Sequence, residues 1–212
     1  MMRAIQTELL SGEALYRAVV LDKLLHARES VDIASANVKA MFVEDGKRVR
    51  GGSDYKSIVE QFSKLAARGV RLRLLHAETP SRPFRKAYDS QRALVQGGLA
   101  LRLCPRVHFK AVIVDRAWIY LGSANLTGAG LGAKGEHKRN FELGFVTEDF
   151  DTIDRAGALF ESVWSGAECG PCKVREHCPD PQGEPIDRPR GKRRASRAGS
   201  LVQLGKSRRF GR

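Results

Sequence analysis

Two short runs bring chemically complementary side chains together at close spacing. They are His108-Phe109-Lys110 and, after two apolar stretches, Gly122-Ser123-Ala124-Asn125. If Val107–Val114 is a strand, residues two apart share a face, so His108 and Lys110 point together while Phe109 and Ala111 point the other way. An imidazole beside a fixed cation is what attack on a phosphodiester requires. The ammonium neutralises the anionic oxygens, and the imidazole either bonds to phosphorus or donates a proton. Gly122–Asn125 follows the next short strand and could return a hydroxyl and an amide to the same place. Asn140 and Glu142 also sit two apart, and a carboxylate there could hold the imidazole in one tautomer.

The pattern His-x-Lys-x4-Asp-x6-Gly-Ser-x-Asn is met at His108, Lys110, Asp115, Gly122, Ser123 and Asn125, six fixed positions in eighteen residues. It resembles the signature of the phospholipase D superfamily, whose members cleave phosphodiesters in lipids and nucleic acids. In element order the resemblance covers roughly residues 30–165. It implies a covalent phosphohistidine intermediate, a second His that protonates the leaving group, and no metal or other cofactor in catalysis. On this chain, His108 becomes the nucleophile or acid, and Lys110 and Asn125 grip the phosphate. Ser123 bonds within the same pocket, and Glu142 orients the His. Asp115 belongs to the candidate catalytic set, but it lies seven residues along the strand, so a structural or supporting role is expected. Most members carry two copies of the signature and this chain carries one. The nearest echo, Ser35-Ala36-Asn37, has no His-x-Lys before it. A single copy implies a homodimer with one composite site on its twofold axis, as in small bacterial endonucleases of the superfamily.

A second constellation is Cys169-Gly-Pro-Cys172-x5-Cys178, which holds three of the four cysteines within ten residues. In a cytosolic protein that spacing reads as metal rather than disulfide. Cys104 is the only possible fourth thiolate, and His177 is a local alternative. Zinc would accept either set, and four thiolates would also suit a four-iron iron–sulfur cluster. The run, joined to one distant upstream cysteine, resembles the iron–sulfur staple of some RecB-like nucleases, as a motif and not as a fold. Either metal would be structural.

The elements that must position these residues alternate. Residues 3–28 have apolar positions near helical period, with Gly12 as a break. A strand is expected over Val31–Val38, a polar loop over Asp45–Ser53, and a helix from Ser53 or Asp54 to Gly69. Val70–Leu75 alternates as a strand with one wet side carrying Arg71 and Arg73. A helix over Pro83–Gln96 and strands over Leu99–Leu103, Val107–Val114, Trp118–Leu121 and Phe141–Thr147 follow, then a helix over Phe150–Trp164. The expected fold is α/β, a mixed central sheet sandwiched by helices. A catalytic domain spans 1–165, a Cys-rich segment 166–187 and a basic tail 188–212.

Charge divides along the same lines. The net charge is +13, yet ten basic residues and no acid lie between Arg188 and Arg212, so the rest carries only +3. Such a tail buries almost nothing and favours a polyanion, DNA or RNA before an anionic membrane, because no apolar face accompanies it. Arg193 and Arg194 in the tail, and Lys134, Lys138 and Arg139 in a basic loop, are the candidate phosphate contacts. Gly130-x-Gly132-x-x-Gly135 is no dinucleotide fingerprint, since it opens no βαβ unit. No apolar run approaches about 18 residues, and charges interrupt the first thirty residues. A cytoplasmic protein without integral membrane association is therefore expected. The leading function is a phosphodiesterase acting on DNA or RNA. A phospholipase and a catalytically weak nucleic-acid-binding module are the alternatives.

Overall fold

The apolar alternation of the chain resolves into nine strands and four principal helices in a computed structural model that describes residues 3–49 and 52–183. β1 is Glu8–Ser11, and Gly12, at φ 55°, turns the chain into α1, a helical stretch from Glu13–Leu15 through Tyr16–Lys23 to Leu24–His26. β2 is Ser30–Ser35. β3, Phe42–Val49, and β4, Gly52–Ser57, form a separate antiparallel hairpin. α2, Ile58–Ala67, starts where the Ser57 hydroxyl accepts the Val59 N–H, and Gly69, at φ 86°, lets the chain leave it. β5, Arg71–His76, α3, Arg82–Asp89, and β6, Leu99–Leu103, follow. β7 is Lys110–Val114, β8 Trp118–Gly122, β9 Leu143–Thr147 and α4 Phe150–Trp164.

Seven strands make one mixed sheet in the order β1-β9-β8-β7-β2-β5-β6. β2, β5 and β6 run parallel, joined by helical crossovers, and the other neighbours are antiparallel. The two faces bury different sets. Val31, Ile33, Leu72, Leu74, Val112 and Val114 pack with Leu15, Val19, Phe62 and Phe84 from α1, α2 and α3. The opposite parity, Ala34, Leu75, Ala111, Ile113 and Ile119, meets Phe160 and Ile153 of α4. This is the expected α/β architecture with helices on both faces. Among the described residues no helix is long and apolar enough to cross a membrane.

Four local expectations change. Residues 8–11, read within a helical period, form an edge strand against β9. Of the polar run 45–53, residues 45–49 and 52–53 belong to the β3–β4 hairpin, where backbone pairing replaces the missing apolar alternation. The helix expected over 83–96 stops at Asp89, and a separate turn, Leu94–Gly98, leads into β6. Arg73, expected on a wet face, is buried: it bonds Asp32 of β2 at 2.6 and 2.7 Å and Glu161 of α4 at 2.6 Å, with Phe160 and Trp164 against its guanidinium. A buried Arg needs carboxylates to offset its desolvation, and here the two carboxylates tie α4 to the sheet.

Candidate active site

The register of β7, β8 and β9 sets the site. Lys110 pairs with Gly122, and Gly122 with Gly144, so the start of β7, the end of β8 and the start of β9 lie side by side at one sheet end. The parallel strands β2 and β5 finish at the same end, with Ala34 beside Ala111 and Ser35 beside His76. Ligands of α/β sheets gather at the carboxyl ends of parallel strands.

His108 is exposed two residues ahead of the first residue of β7, on the same side as Lys110, while Phe109 and Ala111 pack on the α4 side. Lys110 is only 9% exposed. Its ammonium donates to the His108 carbonyl at 2.7 Å and lies 3.4 Å from the imidazole Nδ1. Among the described residues no carboxylate is within ion-pair distance of that ammonium.

Asn125 is oriented by what its oxygen accepts. Oδ1 takes the Asn37 N–H at 3.1 Å and lies 3.3 Å from the Ser35 hydroxyl, which itself donates to the Asn37 carbonyl and accepts the Leu126 N–H at 2.8 Å. With Oδ1 committed, the side chain presents its amide N–H2 as a donor. A cavity of about 230 Å³ beside it is lined by Asn37, Lys39, Lys134 and Asn140. Ser123 donates to Glu142, whose other oxygen accepts from Asn140 at 3.1 Å. Glu142 is thus held by Ser123 and Asn140, and within this chain no hydrogen bond joins it to His108.

Gly122 has a steric reason. A Cβ there would press on the Tyr120 hydroxyl and come within 2.7 Å of Gly144 Cα. The Tyr120 ring crosses both glycines, and its hydroxyl accepts the Ala124 N–H at 3.1 Å, which fixes the turn carrying Ser123 and Asn125. Burial, helped by the Glu142 charge and opposed by that N–H, pushes the phenol up to about 12.

Other candidates are placed differently. Asp115 lies at the far end of β7, where its carboxylate accepts the N–H groups of Arg28, Glu29 and Ser30. Burial works against ionisation there, but the three donors win and hold the carboxyl below its ordinary value. It lies at the opposite end of β7 from His108, and the structure does not bring it together with the other catalytic candidates. Arg139, expected at a phosphate, instead donates to the Gly132 and Lys134 carbonyls and pairs with Glu13 at 3.0 Å, bracing its loop. Lys134 does face the cavity beside Asn125, and Lys138 is exposed on a short turn. Arg193 and Arg194 lie outside the described residues. His76 is buried, its Nδ1 2.9 Å from the Glu78 carbonyl, and burial lowers its pKa. The four cysteines, Cys104, Cys169, Cys172 and Cys178, line one cavity of about 360 Å³ on the α4 side, and His177 does not.

Sequence reasoning noted Ser35-Ala36-Asn37 only as an echo without a His-x-Lys, gave Ser35 and Asn37 no place in the site, and missed Lys39. The signal was there: Ser35-Ala36-Asn37 repeats Ser123-Ala124-Asn125, and the two turns lie together, with Val38 bridged to Leu126.

Comparison with known proteins finds the same fold. NucT from Helicobacter pylori superposes with a TM-score of 0.52 at 17% identity, over 76% of this chain and 96% of that one. Nuc from Salmonella typhimurium, a phospholipase D family member, gives 0.51 at 19% identity, over 75% and 95%. These likenesses concern the fold. No curated protein sequence matches. The family described as "Cardiolipin synthase, PLD-like domain" matches residues 20–164, and the chain therefore belongs to the PLD-like domain family of the phospholipase D superfamily.

Proposed function

We propose that this protein is a phosphodiesterase that hydrolyses DNA or RNA through a covalent phosphohistidine, as a homodimer whose composite site joins two His108-Lys110 pairs. The observation that carries the reading is the Lys110 ammonium, nearly buried, 3.4 Å from the His108 imidazole and without a carboxylate partner among the described residues. A buried charge lacking an internal counter-ion is stabilised by a bound anion. Asn125 adds a pre-oriented neutral donor, and both are in place before substrate arrives.

In the proposed reaction, the lone pair of one His108 imidazole forms a bond to phosphorus as the ester P–O bond breaks. The leaving alkoxide takes a proton from the second imidazole. Water then gives that proton back and attacks phosphorus, and the P–N bond breaks to release the phosphate monoester and restore both histidines. Lys110 and Asn125 bear the charge that accumulates on the non-bridging oxygens. No metal enters. A twofold partner is supported by the exposed apolar side chains Phe141 and Leu143, which flank Glu142 at the rim of the site.

Nucleic acid is favoured over lipid because the cavity beside Asn125 carries Lys39, Lys134 and amides rather than an apolar channel. The strongly basic 188–212 segment adds salt-dependent affinity for a polyanion. The test compares wild type with His108→Ala on plasmid DNA, RNA and phosphatidylcholine in EDTA. DNA or RNA cleavage that survives EDTA and disappears in the variant is expected. Turnover of phosphatidylcholine alone would overturn the substrate, and binding without turnover would reduce the protein to a binding module. A folded, fully active monomer in sedimentation would overturn the composite site.

A further inference from the structure

The chain after Gly166 has little to hold it in place. Among the described residues from 167 to 183 there is no buried apolar side chain and no helix longer than three residues. The segment is nonetheless docked, since Asp180 accepts the Leu103 N–H at 3.1 Å, and it is braced within itself by Arg175, which donates to the Gln182 and Gly183 carbonyls. A few surface hydrogen bonds contribute little net free energy, and short segments without a core are usually held by a covalent or metal cross-link. The segment brings Cys169, Cys172 and Cys178 to the cavity that Cys104 lines from sixty-five residues upstream, and all four are free thiols.

The space between the thiols distinguishes possible occupants. One zinc ion bonded at about 2.3 Å to each sulfur would hold the four sulfurs within about 4 Å of one another. Among the described residues no three His, Cys, Asp or Glu side chains are grouped to hold a single ion. Instead all four cysteines are among the residues that line one cavity of about 360 Å³, space for a cluster rather than a single ion. We propose that Cys104, Cys169, Cys172 and Cys178 hold a four-iron iron–sulfur cluster in this cavity, outside the phosphodiesterase site. Four thiolates make such a cluster anionic overall, and the Arg106 guanidinium, 3.6 Å from the Cys172 sulfur, offsets that charge.

The cavity wall also reaches the catalytic strand. Val107 and Phe109, on either side of His108, line it, and Cys104 begins the loop that delivers His108 to β7. The cluster therefore clamps the segment that aims the imidazole. This consequence rests on the phosphodiesterase reading, whereas the cluster does not.

The full chain, purified without oxygen, should contain about four iron and four sulfide per chain. It should show a broad visible absorption band that dithionite bleaches. Cys104→Ser and Cys178→Ser should each lose iron, sulfide and the band, with the circular dichroism of the α/β body retained. Stoichiometric zinc in place of iron would overturn the cluster, and four titratable thiols with neither metal, or disulfides, would overturn the site. Full iron in Cys104→Ser would remove Cys104 from the ligand set. The wild-type metal content decides the matter even if a variant fails to fold. Oxidative removal of the cluster should lower phosphodiester turnover about tenfold or more. Unchanged turnover would remove the link to His108 and leave the cluster standing. Absence of turnover in wild type would count against the phosphodiesterase reading alone, because iron and sulfide are read independently.

Discussion

The two ends of β7 carry charged residues of one sequence pattern and treat charge in opposite ways. At the Asp115 end, three backbone N–H groups meet the carboxylate and leave it nothing to recruit. At the other end, Lys110 is nearly buried beside His108, and no carboxylate among the described residues answers it. A charge satisfied within the chain is architecture, and a charge kept unsatisfied at a cost in stability awaits a ligand. Membership of a common pattern therefore does not confer a common role. Asp115 serves the hairpin that keeps Lys110 in register with Gly122.

The sharpest way to break that contrast is Lys110→Met, which keeps much of the side chain's volume and removes its charge. Turnover of a phosphodiester should fall about 10²- to 10³-fold, the scale of losing one pre-oriented group that stabilises transition-state charge. Melting temperature should hold or rise, because a nearly buried ammonium without a carboxylate partner has gone. Thermal denaturation alongside kcat/KM reads both. A marked loss of stability would show that Lys110 is satisfied internally and that the two ends do not differ.

Ser35→Ala should have a smaller and mixed effect, since Ser35 lies between architecture and chemistry. Its hydroxyl accepts the Leu126 N–H and supports the Asn125 amide. Leaving that buried N–H unpaired should cost about 1–3 kcal/mol in denaturant unfolding. Loosening of Asn125 should lower turnover about tenfold, within the range seen when a residue supporting a functional one is removed. Loss of stability with full turnover would restrict Ser35 to the fold.

What the sequence disclosed follows from how local each signal is. Phe150–Trp164 could be read because its apolar stripe is long and Asp149 caps it, accepting the Thr152 N–H at 2.9 Å. His108 and Lys110 could be read because strand periodicity alone puts them on one side. Arg73 was misplaced because alternation reports only on its own strand, while Asp32 and Glu161 arrive from 41 and 88 residues away. The β3–β4 hairpin lacked the apolar alternation that marks a strand. Glu142 could be placed near the site but not paired, since Ser123 and His108 compete for it and only the β8–β9 register decides. For Asp115, sequence spacing gave distance from His108 but not the three donors from residues 28–30.

Asp115→Asn tests the quiet end of the strand. Asp115 and Arg116 both have φ of 53°, and the Ala117 N–H donates to the Val114 carbonyl at 3.0 Å, so the turn needs a left-handed pair. Asn tolerates that conformation as Asp does, so the substitution removes the charge and keeps the turn. Near neutral pH the variant should be less stable by about 1–2 kcal/mol, because charge-assisted hydrogen bonds become neutral ones. The pH dependence follows from the direction of the shift. The folded carboxyl titrates below its ordinary 3.8, so its contribution is fully present above that value and is lost as pH falls through the lower folded one. Wild type and variant should therefore differ by a constant amount at neutral pH and converge in acid below 3.8. Turnover per folded molecule should be unchanged throughout. A variant that stays folded yet loses turnover would give Asp115 a part in the chemistry and erase the distinction between the two ends of β7.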